Sequence, residues 1–166
     1  MQVLSTNKLS WLTPSHKTEL LATTKFPPHA LITSVHGLLF SQDMILMTYV
    51  RKRGWDIPGG HIEEGESLGD ALLREVWEET TGEIENLQPL AYQRIELLEQ
   101  PVSNKYPFPV SFQQFFIGTI SILHAFVPTD EVSERKLFIR KEMEELPWYH
   151  EHKQLYEYAY TIATSK

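Results

Sequence analysis

The segment from Gly59 to Gly82, GGHIEEGESLGDALLREVWEETTG, sets Glu75, Glu78 and Glu79 behind a Gly-Gly turn. At about 100° per residue, positions i, i+3 and i+4 fall on one narrow face of an α-helix. Three carboxylates crowded there repel one another, so an isolated helix gains nothing from them. A hard divalent cation removes that repulsion and prefers oxygen ligands. The competing reading is a solvated acidic face, steadied by an i,i+4 pair between Arg74 and Glu78. The glycines and the spacing weigh against it. Leu72, Leu73, Val76 and Trp77 form a separate apolar arc, expected to pack on a sheet and leave the carboxylates at its margin, beside a cleft.

The segment resembles the Nudix box, whose pattern is G-x5-E-x7-R-E-U-x-E-E-x-G-U with U a bulky apolar residue. Gly60 opens it, Glu66 follows at the right distance, and Arg74, Glu75, Val76, Glu78 and Glu79 complete its core. Two positions depart from it. Thr81 stands where the closing Gly belongs, and Gly82 falls in the place of the apolar residue. A Gly just past a helix end is favoured, so the late Gly82 predicts a helix stop one residue further on. The preceding Trp55-Asp56-Ile57-Pro58 is also similar to the approach to such boxes.

This resemblance implies an α/β fold, a Nudix α/β/α sandwich with a mixed β-sheet between helices. It also implies a hydrolase that acts on a nucleoside diphosphate linked to another group and uses Mg2+ or Mn2+. Carried over residue by residue, Glu75, Glu78 and Glu79 hold the metal ions, and a backbone carbonyl of Gly59 or Gly60 supplies a further oxygen. Arg74 steadies one of those carboxylates by a bidentate pair, and Glu66 ties the loop to the helix. The general base is not fixed by the family pattern. It is a box Glu or a later acid, with Glu96, Glu99 and Glu131 as candidates beside their plainer reading as surface carboxylates.

A chain of 166 residues suits one domain and is long enough to bury a core. Zero cysteines exclude disulfides, thiolate metal sites and Cys nucleophiles. A formal net charge of −7 argues against extended nucleic-acid binding, yet not against one nucleotide, because bound metal ions supply the local positive charge. No apolar run approaches a membrane span, and no secretion-signal block opens the chain. A cytoplasmic enzyme is expected, with a nucleotide or nucleoside diphosphate derivative as its partner and no membrane. Oligomeric state is not legible.

Residues 1–28 read as an N-terminal extension ahead of a domain over 29–166, with Pro27-Pro28 as the break. Within the extension, Ser15 is expected to cap a short helix over His16 to Ala22, with Leu20 and Leu21 packing on the body. Ala30 to Phe40 and Met44 to Val50 read as strands joined by a Ser41-Gln42-Asp43 turn. Leu90 to Leu98 and Ser111 to Ile122 read likewise, with Glu134 to Ile139 a weaker candidate. Gln100 to Val110 holds Pro101, Pro107 and Pro109 and is expected to form a structured loop. After Pro147 the pattern is helical, with Leu155, Tyr158, Ala159 and Ile162 on one stripe.

Further substrate contacts are drawn from the flanks of the box. Arg51, Lys52 and Arg53 reach phosphates or form a solvated basic turn. Trp55 stacks on a base or seals the core. Tyr106 and Phe108, on the proline-rich loop, are candidate base contacts. His150 and His152 read as surface, and His61 occupies an unconstrained box position. No G-x-S-x-G turn supports Ser-His-Asp catalysis. The small chain favours a MutT-type nucleoside triphosphate pyrophosphohydrolase. The downstream tyrosine of many dinucleoside polyphosphate hydrolases and the proline of many ADP-ribose pyrophosphatases are absent at their spacings. A Nudix-like domain that binds a nucleotide or sugar nucleotide without cleaving it is the alternative, though such domains usually lose box carboxylates. The related isopentenyl diphosphate isomerases use a cysteine this chain lacks.

Overall fold

Alternating apolar and polar residues on both sides of the box pair into one sheet of nine strands in the computed structural model, which describes residues 1–165. The strands are β1 (Gln2–Ser5), β2 (His16–Ala22), β3 (Ile32–Ser41), β4 (Met44–Val50), β5 (Gly54–Asp56), β6 (Gly59–His61), β7 (Gly82–Leu97), β8 (Val110–Leu123) and β9 (Val132–Phe138). The helices are α1 (Leu68–Thr80), α2 (Arg140–Met143) and α3 (Pro147–Thr164). Strand order is β1-β2-β7-β8-β3-β4-β5, with β6 also paired to β3 and β9 to β4. Only β3 and β8 run parallel, so the sheet is mixed.

The two faces of β3 and β4 are apolar, and each needs a cover. Leu38, Phe40, Ile45 and Met47 pack with Trp148, Tyr149, Leu155, Tyr156 and Ala159 of α3. Val35, Leu39 and Leu46 pack on the other side with Leu68, Ala71, Leu72 and Val76 of α1. A helix on each face completes an α/β/α sandwich.

Several expectations are corrected. His16–Ala22 is a strand and not a helix: His16, Thr18 and Leu20 point inward while Lys17 stays outside, and the segment pairs with β7 residue by residue. That cross-strand register outweighs a cap signal seven residues long. β7 begins at Gly82, well before Leu90, because β8 accompanies it along its length; the register slips where Asn86 takes φ 54°. On α1, Leu73 and Trp77 are exposed, and burial falls on Leu68, Ala71, Leu72, Val76 and Thr80. On α3, Leu155 and Ala159 are buried and Tyr158 is half-buried as expected, whereas Ile162 is exposed, and Trp148, Tyr149 and Tyr156 add to the burial. The helix is broken at His152, with φ −117° and ψ 24°, ahead of that stripe.

The α1 terminus also differs from expectation. The helix stops after Thr80, and Thr81 itself adopts the left-handed cap at φ 51°. Its N–H donates to the Trp77 carbonyl at 2.9 Å. Gly normally takes this position because a Cβ is disfavoured there. Here Arg135 donates to the Thr80 carbonyl and to Thr81 Oγ1, and the hydroxyl lies 3.0 Å from the Ala125 carbonyl. Gly82 is already in β7.

Candidate active site

The Ser67 hydroxyl starts α1 by accepting the Asp70 N–H at 3.1 Å, which satisfies one of the unpaired donors of the first turn. Opposite, β6 lies against β3 with Val35 beside Gly60 and His36 beside Gly59. A Cβ on Gly60 would stand 2.5 Å from the Glu75 carboxyl carbon, and one on Gly59 2.3 Å from the Val35 carbonyl. Gly60 therefore lets the Glu75 carboxylate approach the β6 backbone, and Gly59 lets β6 lie close against β3. Gly59 donates its N–H to Glu79 Oε2 at 3.3 Å.

Arg74 is the hub of the site. Its Nε and Nη2 grip Glu66 at 2.6 and 3.1 Å, and Nη1 reaches Glu75 at 3.0 Å and Glu78 at 3.5 Å. Nη2 also donates to the His61 carbonyl at 3.0 Å. The bidentate partner is thus Glu66, not one of the three helix carboxylates. Glu66 in turn accepts the Glu63 N–H at 2.9 Å, which ties the loop to the helix.

Electrostatics separate these acids. The Arg74 guanidinium and the Glu63 N–H hold Glu66 below the usual carboxylate range. Burial pushes Glu75 up, Arg74 pulls it back, and the charges of Glu78 and Glu131 add to the rise. Burial pushes Glu79 up to about 8, opposed by the Gly59 N–H, with Glu75 raising it further. Arg53 and Asp56, paired with each other at 2.9 Å, also act on Glu79, in opposite senses.

This all-oxygen donor set fits a hard divalent cation, which would offset the charge that burial and crowding now penalise. Among the described residues, no three acids or histidines already converge as a metal cluster. Arg74 instead draws Glu75 and Glu78 to itself.

The remaining sequence candidates fall in different places. Arg53 faces the site through Asp56, whereas Arg51 Nε turns to the Thr129 carbonyl at 3.3 Å; Lys52 is exposed on the turn. Trp55 meets Phe138 at 4.8 Å and Tyr49 at 5.3 Å, both edge-on, and closes one side of the α3-facing core. Tyr106 reaches the box and stacks on His61 at 6.0 Å, while Phe108 is exposed on the same loop. Of the three later acids, Glu96 pairs with Arg94 and Glu99 accepts the Ser15 N–H at 2.8 Å. Only Glu131 acts on Glu75.

His61, Asp56 and His36 were missed or passed over as site residues. His36 lies beneath Gly59, 3.0 Å from Ser34 Oγ, and burial pushes it down to about 4. A histidine inside an apolar strand was the available signal. His152 is not a plain surface residue either: it is half-buried and stacks on Trp148 at 4.7 Å.

Residues 30–160 match the family model described as NUDIX domain. The Bacillus subtilis pyrophosphohydrolase BsRppH is similar in structure at TM-score 0.62 and 19% identity, covering 85% of this chain and 92% of that one. The NUDIX domain of Shewanella oneidensis NrtR, solved with ADP ribose, gives TM-score 0.58 at 21% identity, over 80% of this chain and 87% of that one. The MutT protein of Bacillus halodurans gives 0.57 at 22% identity, over 75% and 78%. At these identities the likeness shows the fold.

Proposed function

This chain belongs to the Nudix hydrolase family, and we propose that it cleaves a pyrophosphate bond in a nucleoside diphosphate linked to another moiety, with nucleoside triphosphates of the MutT type first among its substrates. The observation that carries this reading is the placement of Glu75 and Glu79 beneath the two box glycines, where burial raises both carboxyls. A fold keeps acids in such a place when a bound charge compensates them. The proposed ligands for Mg2+ or Mn2+ are Glu75, Glu78 and Glu79 with a backbone carbonyl of Gly59 or Gly60.

When bound, the metal ions would neutralise phosphate oxygens and lower the pKa of a coordinated water. The protein's own part is positioning, which dominates in phosphoryl transfer. Arg74 sets the angle of Glu75 and, through Glu66 and the His61 carbonyl, fixes the helix against β6. Glu131, whose charge acts on Glu75, is proposed as the acid outside α1 that takes a proton from the attacking water. Arg53 is proposed to reach the phosphates, with Arg51 further out on the same turn. Tyr106 and Phe108 are proposed to contact the base. Trp55, packed on Tyr49 and Phe138, offers no free ring for a base. Residues 29–166 form the proposed catalytic domain, and 1–28 an extension that adds β1 and β2 to its sheet.

The NrtR neighbour, solved with ADP ribose, suggests the second reading, a domain that binds without hydrolysis. Against it, this chain keeps every box carboxylate. None of the described helices is long and apolar enough to cross a membrane. The test is a panel of nucleoside triphosphates, dinucleoside polyphosphates and nucleotide sugars, assayed for phosphate or pyrophosphate release with magnesium. Turnover that vanishes on exhaustive chelation, and in Glu78→Gln, supports the proposal. Tight binding without turnover across the panel would favour the second reading, and full activity after chelation would sink the metal mechanism.

A further inference from the structure

The loop between β7 and β8 carries Tyr106 across to His61, the box residue beside Gly60. The two rings lie 6.0 Å apart at 27°, close to parallel. The backbone on both sides of this pair is unequal in freedom. His61 is the fixed side: its carbonyl accepts from Arg74 at 3.0 Å, and its Nδ1 lies 3.1 Å from the Thr33 carbonyl. That second contact puts the proton on Nδ1 and holds the ring by its edge, so that a face is open to Tyr106. Tyr106 is the adjustable side: it is 45% exposed and belongs to a loop fastened at its feet. There Leu97 N–H donates to the Pro109 carbonyl, and Leu98 N–H to the Ser15 carbonyl, each at 2.8 Å. The Lys105 ammonium, 5.3 Å from the Tyr106 ring centre, adds a cation–π contact at the tip.

We infer that His61 and Tyr106 form a two-sided clamp that takes the planar base of the nucleotide between them. This deepens the hydrolase reading and rests on it for the identity of the substrate. A flat heterocycle needs about 3.5 Å of contact distance on each face, so the rings must stand about 7 Å apart. The ring centroids stand 6.0 Å apart, so the tip of the loop has to swing outward to admit a base. Side chains alternate along a strand, so with Gly60 turned toward Glu75, His61 projects to the opposite side of β6. The base is thereby held off the carboxylates, and Arg74 links the two sides through the His61 carbonyl. Such stacking accepts any base, because every base presents a π-face.

The experiment compares His61→Ala, His61→Phe, Tyr106→Ala and Tyr106→Phe in the full chain. Each is assayed with its preferred nucleoside triphosphate and with inorganic tripolyphosphate, which has a pyrophosphate bond and no base. Stacking contributes roughly 1–3 kcal/mol per base, which converts to a roughly five- to 150-fold loss. Both Ala variants should lose kcat/KM for the nucleotide by that factor, mainly through KM, and lose much less for tripolyphosphate. Both Phe variants should restore the nucleotide KM, a rescue that a purely structural role would not discriminate by substrate. In parallel, AMP and GMP are titrated into the metal-free protein while the His61 ring protons are followed by NMR; an upfield ring-current shift is expected, and is lost in Tyr106→Ala. Equal losses for nucleotide and tripolyphosphate, or no His61 shift at saturating nucleotide, would overturn the clamp. Should no panel substrate turn over while the His61 shift appears, the clamp stands and the hydrolase reading falls.

Discussion

The Glu75 carboxylate occupies the space that a side chain on Gly60 would need, with the carboxyl carbon 2.5 Å from where the Cβ would stand. A box glycine and a box glutamate, fifteen positions apart, are thus one fitted pair. Gly60→Ala must push Glu75 aside, and Arg74, already bonded to four groups, limits where it can go. We expect kcat/KM to fall at least tenfold while the thermal midpoint drops only modestly. Steady-state kinetics with a thermal melt checks this, and unaltered kinetics would show that Glu75 is free to relocate.

Glu79 predicts a pH signature in the metal-free protein. Its folded pKa, about 8, lies above the ordinary 4.5, so the folded state holds this proton more tightly than the unfolded chain. The resulting stability is complete below pH 4.5 and is lost as pH rises toward 8. Glu79→Gln should therefore raise the midpoint of the metal-free protein at pH 8.5 and flatten its decline over that window. The same variant should lose most of the stabilisation that added magnesium brings to the parent. Calorimetry at several pH values, with and without metal, reads both effects.

Glu131 should behave unlike Glu96 and Glu99. It acts on Glu75, whereas Glu96 is tied to Arg94 and Glu99 to the Ser15 backbone. A positioned general base contributes typically about 10²–10⁴-fold. Glu131→Gln is expected to lower kcat by roughly that range. Glu96→Gln and Glu99→Gln should stay near parental rates. If all three match the parent, the base lies within the box helix.

Thr81 sets a stability test apart from catalysis. Its left-handed backbone is unfavourable for a β-branched residue, but its hydroxyl meets Arg135 and the Ala125 carbonyl. Thr81→Val keeps the strain and removes those partners, for a loss of about 1–3 kcal/mol. At roughly 2–4 °C per kcal/mol for a chain of this size, the melt shows it clearly. Thr81→Gly relieves the backbone while losing the same bonds, and should stay close to the parent. A Val variant as stable as the parent would mean that the hydroxyl is dispensable, and a larger loss in Gly than in Val would mean that the backbone strain is small.

What could be read from the residues alone was local. Glycine spacing and the 3.6-residue rhythm located α1 and its three carboxylates, because a helix is specified by neighbours a turn apart. The box also carried the family, and with it the mixed sheet between helices. The long strand β7 was only half legible, since Glu83, Glu85, Asn86 and Pro89 look like a loop until β8 is laid beside them.

The tertiary structure decided the matters that depend on distant pairing. His16–Ala22 is a strand because β7 offers it seven register partners, a choice that a short segment cannot express by itself. Arg74 grips Glu66 more fully than Glu75 because the loop returns to the helix there. Tyr106 meets His61 across 45 positions, and Glu131 acts on Glu75 across 56, only because parallel β3 and β8 and antiparallel β4 and β9 bring those loops to the box. Periodicity encodes which face a residue takes. Which loop it then meets is set by strand order, and strand order is settled by the burial of the whole sheet.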